Sequence, residues 1–286
     1  MANLIDLRRR IRSVRNSQQV TKAMKTVATA KYKKASRTIA EGRPLWHSFP
    51  DSVGRLAGWA GPDAHPFLDV REERTIDVLV MTSDKGLCGA FNSNLLAKTL
   101  EFLKSKEPEA RVRLELIGRK AAQFFKRLPY PIDRAYAEHT DRIGAGELRS
   151  LAAGLMEKFL FLETDAVYAA YNEFKSVLAP RLAIVRILPV DSGGGEEGGA
   201  VVPDWEPLPS PLIAAYWPRY VESQIVHAYA ESQAAEQAAR MMAMDAASNN
   251  AEELIEVLTL NLNKARQAGI TKELLEIMTA VEALKS

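Results

Sequence analysis

Cysteine is almost absent from the 286-residue chain, which has one, Cys88. A single cysteine excludes an internal disulfide and fits a reducing compartment. Histidine is also scarce, and the four histidines show no metal-ligand spacing: they are His47, His65, His139 and His227. The composition therefore predicts neither a disulfide-rich domain nor a histidine-based metal site, and we expect no cofactor.

Long apolar runs are missing as well. No run approaches the roughly 20 residues that a membrane-spanning helix needs. The first residues lead directly into charged sequence, without the apolar core or cleavage site of a leader peptide. We therefore expect any membrane association to come through partners.

The chain has little net charge, +2, which predicts no strong bulk attraction to nucleic acid. The charges are nevertheless unevenly placed. Residues 1–43 carry twelve basic and two acidic side chains, whereas residues 209–286 carry six basic and ten acidic ones. The opposite signs favour pairing of these two end segments with each other, or binding of each to a separate partner.

Glycine and proline are missing from the first segment until Gly42, which predicts one helix over residues 3–43. Its apolar residues recur at 3-4 spacing: Leu4, Leu7, Ile11 and Val14, followed by Val20, Met24 and Val27. Pro44 and Pro50 predict a kink or break within residues 43–51, with helix resuming to about residue 56.

The last segment has no proline after Pro218 and one glycine, Gly269, which predicts a helix over residues 219–284. At about 1.5 Å per residue this helix would be roughly 100 Å long. A strict 4-3 seam follows it: Val221, Ile225, Ala228, Ser232, Ala235, Ala239, Met242, Ala246 and Asn249. Such a seam predicts a coiled coil, and its small residues allow close approach of a partner helix. We predict that this partner is the first segment.

The middle of the chain alternates between strand and helix patterns, which predicts an α/β domain. We predict strands at 76–82, 112–117, 166–170 and 182–188, and helices at about 92–104, 119–127 and 146–162. The stretch around Pro129 and Pro131 is predicted to be irregular. The predicted divisions are an N-terminal helix (1–60), the central domain (70–190), a glycine- and proline-rich linker (191–211) and a C-terminal helix (212–286).

Two functional alternatives follow from single features. The turn Gly86–Gly89 lies between a strand and a helix, where nucleotide-binding folds place a phosphate-binding loop. It lacks both glycine-rich fingerprints, so a tight turn is the preferred interpretation and a nucleotide-using α/β enzyme the alternative. The basic first helix leaves a nucleic-acid-binding coiled coil as a second alternative, although its cations are spread around the helix.

Five stretches of the chain together resemble the γ subunit of F-type ATP synthases. They are residues 17–24 (SQQVTKAM), 83–89 (SDKGLCG), 219–224 (RYVESQ), 236–241 (EQAARM) and 264–273 (KARQAGITKE). They occur in the order found in that family and extend over essentially the whole chain. One departure is residues 277–283 (IMTAVEA), where the family usually has a segment rich in glycine and alanine.

The resemblance implies a fold in which the N- and C-terminal helices form a long antiparallel coiled coil beside a central Rossmann-like α/β domain. It also implies a non-catalytic rotor shaft, which couples ion-driven rotation of a membrane c-ring to conformational cycling of catalytic β subunits. A polar exterior with few aromatic residues suits such a shaft, because large apolar anchors would hold it at one angle.

Partners and contact residues are also implied by the resemblance. The implied partners are the α3β3 hexamer, the ε subunit and the c-ring of Fo, with one copy of the chain per complex and no nucleic acid. The positions that match contacts with the β catch loops are Arg266, Gln267, Thr271 and Glu273, and those that match the segment facing the lower β region are Lys22, Met24 and Lys25. The expected location is the cytoplasmic face of a bacterial inner membrane, reached through these partners.

Overall fold

The structure is a computed structural model that describes residues 4–60, 65–137, 143–176, 181–191 and 209–285. It contains two compact units. The helical unit consists of the residues up to Ala28 and those from Arg240 onward, and the α/β unit consists of Thr29–Ala239. Most of the predicted linker lies outside the described residues.

The described elements follow one another as two long terminal helices with an α/β series between them. In chain order they are α1 (Leu4–Ala60), a short 3-10 helix (Pro66–Leu68), β1 (Thr75–Met81), α2 (Phe91–Lys106), β2 (Arg111–Ile117), α3 (Arg119–Phe125), β3 (Ile132–Tyr136), α4 (Ala145–Leu160), β4 (Ala166–Glu173), β5 (Arg181–Leu188) and α5 (Pro209–Lys285). The predicted fold class, a pair of long helices with an α/β domain, is confirmed.

The sheet has five strands in the order β3-β2-β1-β4-β5. The first four strands along the chain are parallel, and β5 runs antiparallel to β4. The central strand β1 is buried along nearly its whole length, as its continuous apolar run predicts. All four predicted strands are confirmed within one to three residues at their ends.

Strand β3 is missing from the sequence-based prediction. Four of its five residues are exposed and the fifth is half-buried, because it lies at the edge of the sheet. Its sequence, IDRAY, follows Pro131 and has no apolar run. An edge strand with little burial leaves no hydrophobic pattern to recognise, which explains the omission.

Helices cover both faces of the sheet. Leu95 and Leu103 of α2 and Phe125 of α3 are buried on one face. On the other face, residues of α4 share a core with four residues of α5: Trp217, Val221, Ile225 and Ala228. The first part of the predicted seam of α5 therefore packs on the sheet, and the prediction that it pairs with the first segment is wrong there.

The predicted kink or break near Pro44 and Pro50 is not a break, because α1 extends through both prolines. Tertiary contacts within the α/β unit hold this part of the helix. Trp46 is buried and stacks on His227 with ring centroids 4.5 Å apart. The ring of Phe49 packs edge-on against that of Tyr216, with ring centroids 5.4 Å apart. Such packing offsets the hydrogen bonds that proline removes.

In the helical unit, α1 and α5 run antiparallel. Leu7 is buried, and the other three leading positions of the first predicted seam are half-buried, in agreement with the prediction. Val20 and Val27 are each 58% exposed, so the prediction that they continue the seam is wrong. The less exposed positions that continue the 3-4 spacing are Gln18, Thr21, Lys25 and Ala28.

The seam predicted for α5 also fails in the helical unit. Met242, Ala246 and Asn249 are exposed, whereas Met244 and Ser248 are buried. The reason is that α5 has more than one apolar face. Val221, Ile225 and Ala228 belong to the face that packs on the sheet. Ala235 and Ala239 pack in one cluster with Tyr32 and Ile39 of α1, so the predicted pairing with the first segment is confirmed there. Beyond Arg240 the buried face is displaced from the predicted seam by one to two residues.

Candidate functional site

The predicted contact segment of α1 lies beside polar residues of α5. Lys25 Nζ lies 2.5 Å from Asp245 Oδ1, and both side chains are about 40% exposed. Lys22 lies 4.0 Å from Glu252 and is more exposed. Lys22 therefore has the more accessible cation, and Lys25 shares its charge with a carboxylate of the same chain.

An exposed apolar stripe accompanies this segment. Val20 and Val27 project to solvent, and Met24 between them is half-buried. The spacing of four and three residues places all three side chains on one face of the helix. Met24 thus stands in a small apolar surface with cationic neighbours, a combination that suits binding of an acidic partner surface.

The second predicted contact set lies farther along α5, where Arg266, Gln267, Thr271 and Glu273 are all exposed. Thr271 Oγ1 donates to the carbonyl oxygen of Gln267 at 3.0 Å, a local bond to the preceding helical turn. Ser248 and Arg266 are separated by about 27 Å along the helix. The structure therefore does not bring the two predicted contact sets together.

An apolar surface at the end of α5 is absent from the sequence-based predictions. Six large apolar side chains there are 47–65% exposed: Ile270, Leu274, Leu275, Ile277, Met278 and Val281. The expectation of a polar exterior is wrong for this segment, although none of these residues is aromatic. The signal was available in the sequence, since apolar residues continue beyond Gly269 on more than one helix face.

The α/β unit has the crevice in which open α/β folds bind ligands. Helices α2 and α4 cover opposite sheet faces, so the switch in strand order falls between β1 and β4. At the carboxyl ends of these strands, Ser232 Oγ donates to the carbonyl oxygen of Met81 at 3.4 Å. The buried carboxylate of Glu231 accepts the backbone N–H of Phe174 at 2.8 Å. Helix α5 therefore occupies the crevice.

The Gly86–Gly89 turn is held by side chains on either side of it. Asn92 Oδ1 accepts the backbone N–H of Ser83 at 3.0 Å, and Asn92 Nδ2 donates to Ser83 Oγ at 2.8 Å. Gly89 has a φ of +58°, a conformation that favours glycine. These contacts support the interpretation of this glycine as a requirement of the turn.

A network of buried charges connects the strands to α4. Arg113 donates to both carboxylate oxygens of Asp77, at 2.9 and 2.8 Å. Lys158 Nζ donates to Glu115 and Asp133 at 2.9 and 2.8 Å. Burial lowers the pKa of Arg113 and Lys158, but hydrogen bonds and charges of these carboxylates outweigh it and raise both pKa values. The cations and carboxylates pair with one another, although Glu115 Oε2 is buried without a hydrogen-bond partner among the described residues, and such mutual pairing is typical of a structural network.

Within the described ranges, no three histidine, cysteine or acidic residues cluster closely enough to hold a metal ion. None of the helices in that part of the chain combines the length and apolar character needed to cross a membrane.

Comparison with known proteins gives the family. The sequence pattern of the family described as ATP synthase matches residues 3–284. The ATP synthase gamma chain of Pelotomaculum thermopropionicum is 39% identical over 287 residues, which cover 100% of both chains. That of Desulforamulus reducens is 39% identical over 286 residues, again 100% of both. The chain belongs to the ATP synthase gamma-chain family.

Solved structures show the same fold. The rotor of Euglena gracilis mitochondrial ATP synthase matches with a TM-score of 0.67 at 19% identity, covering 93% of this chain and 98% of that one. A chain of the Tetrahymena thermophila central stalk and c-ring matches with a TM-score of 0.59 at 22% identity, covering 80% and 99%. The predicted resemblance to the gamma-chain family is confirmed, and the individual contact residues stay predictions.

Proposed function

We propose that this gamma-chain family member is the central rotor shaft of an F1Fo ATP synthase. In this role it couples ion-driven rotation of the c-ring to conformational cycling of the catalytic β subunits during ATP synthesis, and the reverse during hydrolysis. The observation that carries the proposal is the match to gamma chains along the full length of both chains. The antiparallel helices of the helical unit support it, since paired helices resist bending and twisting better than one.

The proposed contacts with the β subunits lie on outward positions of the two helices. Arg266, Gln267, Thr271 and Glu273 would meet the β catch loops, where their exposed polar groups can form hydrogen bonds that exchange as the shaft turns. Lys22, Met24 and Lys25 would face the lower β region. Charged contacts at a solvent-exposed surface are weak, which favours their release after each rotational step.

The chain is proposed to act without a catalytic site of its own. The crevice in which a nucleotide would bind is occupied by Glu231 and Ser232 of α5. We propose the predicted division for the functional parts, with helices at 1–60 and 212–286, the α/β domain at 70–190 and the linker at 191–211.

The proposed partners are the α3β3 hexamer, the ε subunit and the c-ring, with one gamma chain per complex. The chain would lie on the cytoplasmic face of a bacterial inner membrane and reach that membrane through its partners. Bacterial origin of the full-length relatives supports this location.

The test is reconstitution with the α and β subunits of the same organism. We expect the chain to co-purify with the hexamer at one copy per three β subunits. Replacing Arg266 and Gln267 together by alanine should lower ATP-driven rotation while the hexamer still assembles. Lys126→Ala, which removes an exposed cation of the α/β unit, is the matched control and should rotate normally. A purified chain that binds ATP stoichiometrically, or a hexamer that excludes the chain, would overturn the proposal.

A further inference from the structure

The seam of the helical unit becomes polar in its middle. Toward the start of α1 its seam positions are apolar, and Leu7 is buried. Gln18, Thr21 and Lys25 occupy the seam positions that follow, and each is half-buried. The opposing helix presents polar side chains at the same level, including the buried Ser248.

The polar groups contact one another directly. The hydroxyl oxygens of Thr21 and Ser248 are 2.7 Å apart, a hydrogen bond in which either can donate. The Gln18 amide donates to the Ser248 carbonyl oxygen at 3.5 Å and to Glu252 Oε2 at 3.3 Å. One turn away, Lys25 Nζ donates to Asp245 Oδ1 at 2.5 Å. As residue numbers rise on α1 they fall on α5, so these contacts form an antiparallel ladder.

Polar contacts discriminate between registers in a way that small apolar residues do not. An apolar seam packs almost equally well after a slip of one turn, because one small side chain replaces another. A slip of one turn moves the helices by about 5.4 Å, which separates each donor from its acceptor. Polar residues at seam positions specify register in other coiled coils at some cost in stability.

We propose that Lys25 and Asp245 are positioning residues that fix the axial register of α1 against α5. Their functional consequence rests on the proposed rotor function. Register determines the axial offset between the contact set around Met24 and the set at Arg266–Glu273. If the helices slipped, one contact set could meet its partner in the proposed position, but the other would then be displaced by about one helical turn.

The experiment reads the register directly in the full-length chain by disulfide trapping under a mild oxidant. Thr21→Cys combined with Ser248→Cys reports the native register, since the replaced oxygens are in contact. Thr21→Cys combined with Ala251→Cys or Met244→Cys reports a slip of one turn in either direction. The native Cys88 is buried and is left in place.

Four backgrounds are compared: unchanged, Lys25→Asp, Asp245→Lys, and the double exchange Lys25→Asp with Asp245→Lys. We expect each single reversal to raise the ratio of slipped to native cross-link by about fivefold, because a half-exposed pair contributes up to that factor. The double exchange should restore the ratio, and Lys25→Arg should leave it unchanged.

A ratio that is the same in all four backgrounds would overturn the proposal. So would single reversals that change the ratio without recovery in the double exchange, because register would then not depend on this pair. The result is independent of the rotor function, since it is measured on the purified chain. If the double exchange restores register but the reconstituted complex still fails to rotate, the fault lies in the proposed contact of Lys25 with β.

Discussion

Removal of the buried carboxylate of Asp77 should strongly destabilise the α/β unit. Asp77 is fully buried on the central strand β1 and receives both hydrogen bonds from the guanidinium of Arg113. Lys158 Nζ lies a further 3.9 Å from the same carboxylate. Asp77→Ala therefore leaves two cations in the network with two remaining acids, Glu115 and Asp133, of which neither is placed to replace both bonds.

The expected cost follows from the burial. Breaking a buried ion pair by removing one partner costs about 3–5 kcal/mol. We expect the lower end of this range, because Arg113 is 20% exposed and still lies 3.8 Å from Asp133. At 1.4 kcal/mol per factor of ten, a cost of about 3 kcal/mol should make amides of β1 and β2 that exchange through unfolding exchange about 10²-fold faster. Hydrogen exchange with mass spectrometry of the full-length chain measures the exchange of β1 and β2 separately from that of the helical unit. Unfolding of the helical unit therefore does not affect the result.

The matched control is Glu72→Ala. Glu72 pairs with Arg74 at 2.7 Å, as closely as Asp77 pairs with Arg113, but both side chains are more than 75% exposed. We expect exchange in β1 and β2 to change little, because solvent screens an exposed pair. Equal effects of the two variants would refute the reasoning, since burial would then not decide the strength of these pairs.

Two further predictions concern single residues of the α/β unit. Burial lowers the pKa of His65, whose Nδ1 accepts the N–H of Phe67 at 3.2 Å, so the unfolded chain binds the proton more tightly. Stability should therefore fall as pH decreases below about 6.5, and His65→Asn should reduce this dependence in urea titrations at several pH values. Gly118 has a φ of +103° and its added Cβ would clash with Thr82, so Gly118→Ala should cost about 1–3 kcal/mol or more. Gly146→Ala, where a Cβ meets open space, should be neutral or stabilising by up to about 1 kcal/mol, and a similar loss at both glycines would contradict this account.

The parts of the fold that the sequence predicts are those with a strong periodic signal. The apolar run of β1 and the alternation of strands and helices predict the α/β unit correctly. Strand β3 has no such signal because it is an exposed edge. The break expected at Pro44 fails for a different reason: the burial of Trp46 and the ring contacts of Phe49 stabilise helix where local chemistry alone disfavours it.

The register of the helices could not be predicted from apolar spacing alone. In α5 the seam through Val221 and Ile225 is real, but it faces the sheet. Periodicity shows that a helix has an apolar face and does not say which partner covers it. In α1, the prediction followed the apolar Val20 and Val27, whereas the polar Thr21 and Lys25 are the residues that lie against α5. A strict continuation of the 3-4 spacing from Leu4 would have found them.

The surface most informative about function is the apolar end of α5 rather than the charged positions beside it. Six large apolar side chains are about half exposed there, and full burial of such a side chain contributes about 1.5–3 kcal/mol. Covering the remaining exposed half of all six would contribute several kcal/mol to binding, more than exposed charges at Arg266 and Glu273 can supply. Apolar contact is non-directional, so, unlike anchors seated in individual pockets, this surface does not by itself fix one rotation angle. In the proposed shaft, the apolar end would then provide retention, and the polar residues near Gly269 would provide the contacts that depend on angle.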